Sequence, residues 1–184
     1  MINNKIGLKG FVRVEVLDKD GKTKRHNPNW IKRLFGIPGK NMISENHNIV
    51  TNEGDALIAD LMANTPARTK VDNSNGYIEL GTGFVSEAKT ALSCTTPTGS
   101  TEAMDSGYPQ LKGTWGNAND NVTVYKSTFE AGDLNATGID EVALLNNATA
   151  ASADCLAYAE ITPVINVTTA DTVVVTWELT FTGA

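Results

Sequence analysis

The sequence has few of the residues that metal and redox sites require. Its 184 residues include two cysteines, Cys94 and Cys155, and two histidines, His26 and His47. The cysteines lie far apart and lack the close spacing of a zinc knuckle, so we expect no metal site and no cofactor. Because the first residues, MINNKIGLKG, also lack the apolar block of a signal peptide, we expect two free, partly buried thiols rather than a disulfide.

Long hydrophobic runs are also absent. No stretch approaches the roughly 20 apolar residues that span a bilayer, so a membrane partner is not expected. The apolar share of 41% and the charged share of 20% are those of an ordinary folded domain. The length suffices for one well-buried core. We therefore expect a protein that is made and folded in a cytoplasm.

Catalytic patterns are missing as well. Both histidines stand in polar, loop-like surroundings, which are typical of surface histidines rather than of an oriented catalytic base. The adjacent acids Asp140 and Glu141 are the only such pair that suggests glycoside cleavage. Because neighbours on a strand point to opposite faces, these two carboxylates are not expected to flank one bond. The sequence therefore predicts a protein that is not an enzyme.

The net charge of −6 conceals an uneven distribution. Residues 1–40 contain ten bases and three acids, a net charge of +7, whereas the remaining 144 residues contain five bases and eighteen acids, a net charge of −13. A basic segment on an acidic body can bind nucleic acid, or it can lie on the acidic face of a partner or of a neighbouring copy. Because acids interrupt the bases, we expect a protein partner and not nucleic acid.

What the sequence has in abundance is alternation with a period of two. Residues 172–182 place five apolar side chains on one face and six mainly polar side chains on the other, which predicts a half-buried strand at the centre of a β-sheet core. Its β-branched and aromatic residues suit such a surface. The apolar face consists of Val173, Val175, Trp177, Leu179 and Phe181.

Weaker patterns predict the other elements. Residues 11–17 alternate, and the turn at 18–22 predicts a hairpin with a return strand at 22–26. A helix is predicted over residues 52–64, with Thr51 or Asn52 as its N-cap. Short strands separated by turns fill the C-terminal half. The predicted fold is mainly β: an antiparallel β-sandwich or jelly-roll-like domain with one short helix and an extended N-terminal arm.

The predicted elements divide the chain into two regions. Residues 1–47 form a basic N-terminal hairpin, arm and connector, and residues 48–184 form the β-sandwich body. Removing residues 1–40 is expected to leave that body folded. Residues 86–110, rich in Ser, Thr, Gly and Pro, are predicted to be a long exposed loop that could contact a partner.

The connector at residues 27–41 is the candidate binding element. Trp30, Ile31, Leu34 and Phe35 fall at helical spacing over one short turn between prolines and glycines. One interpretation is a plug whose apolar residues cover the edge of the sheet. The other is an anchor that inserts aromatic side chains into a neighbouring subunit, since aromatic residues and Arg are enriched in interface cores.

Several segments, in order, resemble a pattern found in small virion proteins of tailed bacteriophages. The resemblance covers most of residues 10–182 and rests on the order of its pieces. These are the strand and Asp-Gly-Lys turn of residues 12–22, Asn48-Ile49-Val50-Thr51-Asn52-x-Gly54 before the helix, Ile78-x-Leu80-Gly81-Thr82-Gly83, Thr90-Ala91-Leu92, Tyr125-x-x-Thr128-Phe129, Gly138-Ile139-x-Glu141-x-Ala143-Leu144-Leu145, and Val173-x-Val175-Thr176-Trp177-Glu178-Leu179-x-Phe181.

The resemblance implies a non-enzymatic virion protein that is assembled in the host cytoplasm and forms symmetric homo-oligomers, for example trimers. We expect a capsid decoration (cement) protein that binds the major capsid protein or other virion proteins. The expected partner-binding residues are Arg25, Trp30, Lys32, Arg33 and Phe35. The alternatives are a tail-fibre, neck or baseplate accessory protein, and a carbohydrate-binding module, for which Tyr108 and Trp115 are the candidate aromatic residues.

Overall fold

A single antiparallel sheet of nine strands, curved into a half-barrel, forms the body of the protein. The computed structural model describes residues 7–182. The spatial order of the strands is β4-β3-β7-β8-β2-β1-β9-β6-β5. Their bounds are β1 Gly7–Leu17, β2 Ile43–Val50, β3 Tyr77–Gly81, β4 Pro97–Ala103, β5 Gln110–Leu111, β6 Val122–Phe129, β7 Ala136–Leu145, β8 Cys155–Val167 and β9 Thr172–Thr182. The predicted mainly β, antiparallel class is confirmed, whereas a two-layer sandwich or jelly-roll is not.

Strand β9 is an interior strand of the sheet with the predicted alternation, although the middle of the strand order is occupied by β2 and not by β9. It pairs with β1 over eleven residues and with β6 over eight. Val173, Val175, Trp177 and Leu179 are buried inside the half-barrel, while Phe181 at the end of the strand is 40% exposed. The alternation of β1 buries Val12, Val14 and Val16 against the same core. These apolar faces, joined by those of β7 and β8, form the main core.

The predicted extended arm is wrong for residues 7–17, because β1 lies between β9 and β2 in the sheet. The predicted hairpin forms only at its turn, where the Asp18 N–H donates to the Lys22 carbonyl at 2.8 Å. In place of a return strand, residues 22–26 form isolated bridges, Leu17 with Thr23 and Arg25 with Asn41. Long-range pairing prevails because it buries the apolar face of β1, which a two-stranded hairpin would leave in water. Deleting residues 1–40 would therefore remove a strand from the interior of the sheet. Residues 1–6, with Lys5, lie outside the described residues.

Helix α2, Asn52–Leu61, occupies the predicted position and ends three residues early. Thr51 is its N-cap, because the side-chain oxygen accepts a hydrogen bond from the Gly54 N–H at 2.9 Å. Leu57 is buried against the core. Gly54 permits the close approach to β8, since a Cβ there would lie 2.1 Å from the carbonyl oxygen of Leu156. Within residues 7–182 no helix is long and apolar enough to cross a membrane.

The predicted long loop at residues 86–110 is only partly a loop. Its second half contains β4, one edge of the sheet, and β5. Residues 82–96 fold over the outer face of β7 and β8, where Cys94 and Cys155 belong to a second, smaller core cluster. Both thiols are free and fully buried, which confirms the prediction that they do not form a disulfide.

Candidate partner-binding surface

Residues 27–40 leave the sheet between β1 and β2 and form a feature that we call the projection. Its base is fixed by backbone hydrogen bonds, from the His26 N–H to the Lys40 carbonyl at 2.9 Å and from the Met42 N–H to the Lys24 carbonyl at 2.7 Å. The segment before it is held by Lys24, whose ammonium contacts the buried carboxylate of Asp171. The projection therefore starts from a well-anchored pair of chain segments.

The projection contains a one-turn helix, α1, at Trp30–Leu34. Asn29 is its N-cap and accepts a 3.0 Å hydrogen bond from the Lys32 N–H. None of the five helical residues is buried. Trp30 is 74% exposed and Phe35 is 72% exposed, and Ile31, Leu34 and Ile37 are exposed beside them. The interpretation of this segment as a plug for the edge of the sheet is therefore wrong, because its aromatic residues face solvent.

The projection is also strongly basic. No acid occurs between Asp20 and Glu45, whereas residues 21–44 contain six bases. Five of these bases have no carboxylate oxygen within 4.0 Å among residues 7–182. They are Lys22 in the turn after β1, and Arg25, Lys32, Arg33 and Lys40 on or at the base of the projection. Exposed apolar side chains and unpaired cations thus share one surface.

The structure brings all five predicted binding residues to this surface. Trp30, Lys32, Arg33 and Phe35 lie on or beside α1, and Arg25 lies at the base, where it bridges to Asn41. A cavity of about 680 Å³ separates the projection from β8 and is lined by Lys32, Lys40, His26 and, from β8, Thr162 and Pro163, among others. Of these lining residues, only Lys32 belongs to the predicted binding set.

The projection and residues 41–182 differ in how many of their basic side chains form ion pairs. All five bases of residues 41–182 form ion pairs with acids of the same region: Arg68–Asp154, Lys70–Asp72, Lys89–Asp55, Lys112–Glu178 and Lys126–Asp105. The eighteen acids of this region therefore outnumber its bases even after pairing. The projection has the opposite surplus, so it is electrostatically complementary to an acidic protein surface.

Sequence reasoning missed a second apolar surface, which we call the groove. It lies between α2 and the ends of β6 and β9 and has a volume of about 270 Å³. Met62 is 82% exposed at its rim, and Leu61 and Phe181 are partly exposed there. The available signal was the pair of apolar residues Leu61 and Met62 near the end of the predicted helix. Its other principal lining residues are Ile58, Tyr125 and Leu179.

The most unusual buried groups lie elsewhere, beneath residues 82–96. The carboxylate of Glu141, with 0% exposure, accepts hydrogen bonds from the backbone N–H groups of Gly83, Thr95 and Thr96 at 3.0, 2.8 and 2.8 Å. The phenolic hydroxyl of Tyr158 donates a fourth. Burial raises the pKa of Glu141, but these hydrogen bonds outweigh it and hold the pKa below its ordinary value. The carboxylate therefore binds the covering loop to the sheet.

Asp140 takes part in the same attachment, which strict alternation did not predict. Its carboxylate accepts a 3.0 Å hydrogen bond from the Phe84 N–H, next to the Gly83 N–H that Glu141 binds. The pairing of β7 with β8 is irregular between Ile139 and Glu141. Such a bulge changes the direction of the side chains, so neighbouring residues can reach one loop.

Glu79 lies near this cluster, but its pKa is shifted in the opposite direction from that of Glu141. It is buried and accepts a 2.7 Å hydrogen bond from the Cys94 N–H. Burial is the main cause that raises the pKa of Glu79, and the charge of Glu141 adds to it. Burial likewise raises the pKa of the Cys94 thiol well above its ordinary value. These side chains face a closed interior, so the arrangement is that of a structural attachment.

Metal binding has no counterpart in the described part of the chain. No group of three or more His, Cys, Asp or Glu side chains within residues 7–182 is arranged to hold a metal ion. The acids after β1 form a turn, in which Asp18 accepts hydrogen bonds from the N–H groups of Asp20 and Lys22 at 2.9 and 3.0 Å. Gly21 supplies the positive φ of 72° that this turn requires.

Comparisons with known proteins found no relative. No family model matches the sequence, and no curated protein and no solved structure matches the chain.

Proposed function

We propose that this chain is a non-catalytic structural protein of a bacteriophage virion, a capsid decoration protein that binds other virion proteins through its projection. The observation that supports the proposal is the combination of exposed Trp30 and Phe35 with unpaired Lys32 and Arg33 on one surface. An apolar surface of this kind is costly in water and marks a protein-interaction site. Aromatic residues and Arg are also the residues enriched at the centre of interfaces.

The order of segments that resembles small phage virion proteins supports the virion as the place of assembly. A decoration protein needs a stable body and an attachment element, and the projection is well suited to the second role because none of its helical residues contributes to the core. Substitutions there are expected to change binding without changing the body. The major capsid protein is the proposed partner.

The proposal is tested by immunogold electron microscopy of intact phage particles with an antibody against this chain. Label spread over the head is expected, with copy numbers of hundreds per particle as is typical of cement proteins. Label confined to the tail would move the protein to a tail, neck or baseplate role. Particles without label would contradict a place in the virion.

The role of the projection is tested with the double substitution W30S/F35S. Binding of purified protein to undecorated capsids should be lost in this variant. The matched control is W115S, because Trp115 is 87% exposed in a turn far along the chain and outside the projection. Unchanged capsid binding by W30S/F35S would contradict the proposed attachment.

The second candidate function is carbohydrate binding, and one observation favours it. Trp115 is 87% exposed in the loop between β5 and β6, as a sugar-stacking residue would be. Tyr108, the other candidate, packs against the main core instead. A glycan array probed with the wild-type protein and with W115S tests this function. Glycan binding that depends on Trp115 would support it, and no binding would leave the decoration role alone.

A further inference from the structure

We propose that the projection of one copy binds the groove of a second copy, so that the protein assembles head to tail. The inference rests on the proposed function, since it names a second copy of this chain as a partner of the same projection. Two exposed apolar surfaces, one basic and one on an acidic body, are explained by this single contact.

The projection and the groove lie at opposite ends of the pair formed by β1 and β9. Strands β1 and β9 pair from Leu17 with Thr172 at the end that carries the projection to Gly7 with Thr182 at the end that carries the groove. At about 3.3 Å per residue, the two ends are about 33 Å apart. A chain therefore cannot place its own projection in its own groove. A second copy can, and the contact joins different surfaces of the two copies.

The aromatic side chains of the projection match the groove in size and in apolar character. The groove has about 270 Å³ and an apolar lining that includes Leu61, Met62 and Phe181. A cavity of about 150 Å³ already holds a benzene molecule, so the groove has room for one large aromatic side chain. Trp30 and Phe35 are the aromatic residues that the projection exposes. Insertion of either would cover the rim residues that water now contacts.

The charged groups beside the groove and on the projection are opposite in sign. Asp60 precedes Leu61 at the edge of the groove and has no cation within 4.0 Å among residues 7–182. Its carboxylate accepts only the backbone N–H groups of Ala67 and Arg68. Lys32 and Arg33 flank the aromatic residues of the projection and lack an acidic partner. An inserted aromatic residue would bring these opposite charges together at the interface.

The proposed contact also determines the symmetry of the assembly. A contact between two different surfaces leaves one projection and one groove free at the ends of every dimer. Such a contact propagates until a ring closes or a filament forms. This behaviour separates the proposed contact from a two-fold interface, in which a dimer has no free surface and the same patch is buried on both copies.

The experiment uses two variants of the full chain that disable one surface each. The projection variant is W30S/F35S. The groove variant is L61K/M62K, which replaces apolar rim residues by cations that repel Lys32 and Arg33. Both substitutions are at exposed residues, and cations are favourable at a helix C-terminus, so the fold should persist. Circular dichroism and urea unfolding of each variant verify this.

Sedimentation velocity and light scattering of the purified proteins give the result. The wild type should form rings or longer assemblies that dissociate as salt is added, and each variant alone should be a monomer. An equimolar mixture of the two variants should form a dimer and nothing larger, because only one intact projection and one intact groove remain. The variant W115S serves as the control and should assemble like the wild type.

Three results would overturn the inference. A monomeric wild type at all concentrations would do so, and so would assembly of L61K/M62K, which would indicate contact between projections. Wild-type protein that stays monomeric but sediments with phosphatidylserine vesicles, when W30S/F35S does not, would identify a membrane as the occupant. The first two results leave the proposed function standing, because immunogold labelling tests it independently. Vesicle binding that depends on Trp30 and Phe35 would also count against capsid binding through the projection.

Discussion

Tyr158 donates a 2.5 Å hydrogen bond to Oε2 of Glu141 in the interior between β8 and β7. The other bonds to this carboxylate come from backbone N–H groups of the covering loop, at both of its ends. One buried side chain on the sheet thus holds a loop of about fifteen residues. Four donors would be left without an acceptor if it were removed.

Glu141→Gln should destabilise the protein by about 3 kcal/mol, because an amide accepts on one oxygen only and places an NH₂ group against backbone donors. Urea unfolding followed by circular dichroism measures the loss. Glu130→Gln is the matched control, since Glu130 is exposed, and it should change stability by less than about 0.5 kcal/mol. Equal stabilities of the two variants would refute the attachment by Glu141.

Acid should weaken the fold through the same carboxylate. The pKa of Glu141 is lower in the folded protein than its ordinary value of 4.5. Its contribution is therefore complete above pH 4.5 and is lost as the pH falls through the folded pKa. Asp171 acts in the same direction, because hydrogen bonds from Lys24 and Thr168 outweigh burial and lower its pKa.

Melting temperatures measured from neutral pH downward test this sign. The wild type should lose stability below pH 4.5, and Glu141→Gln should lose less over the same range. Glu79 should act oppositely. Since burial raises its pKa, the folded protein binds this proton before the unfolded chain does, and stability rises as pH falls through that pKa. A steeper acid loss in Glu141→Gln than in the wild type would contradict the assignment.

The two thiols should react slowly in the native protein. Burial raises the pKa of Cys155 to about 12 and that of Cys94 well above its ordinary value, so neither is a thiolate at neutral pH. A disulfide exchange reagent should label them only after opening. Glu141→Gln should accelerate labelling of Cys94, which lies in the covering loop, more than that of Cys155 in β8. The single variants C94S and C155S show which thiol reacts.

The three tryptophans should contribute very differently to stability. Trp177 is fully buried, and its indole N–H has no hydrogen-bond partner among the described residues. Trp177→Ala should cost about 4 kcal/mol, and Trp177→Phe clearly less because it also removes the unsatisfied donor. Trp30→Phe and Trp115→Phe should each change stability by less than about 0.5 kcal/mol. Urea unfolding compares all four variants.

Alternation in the sequence was sufficient to predict β9 and the buried residues of β1, because the face that a strand residue occupies depends only on its parity. The helix α2 was equally local, since its cap at Thr51 and its stripe at Leu57 lie within a few residues. The same locality made the α1 turn visible at Trp30. These elements, the free thiols and the basic segment could be predicted without tertiary information.

Only the tertiary structure decided which strands pair and which apolar residues stay in water. The partners of β1 are decided by burial across the whole sheet. The turn after Leu17 does not show that β2 and β9 pair with β1 more favourably than residues 22–26 would. Trp30 and Trp177 have the same chemistry, yet one is 74% exposed and the other is fully buried. The sequence by itself determined β1, β9, the helix α2 and the distribution of charge. Strand pairing, exposure and the bulge beside Glu141 depend on contacts between residues far apart in the chain, which no local pattern contains.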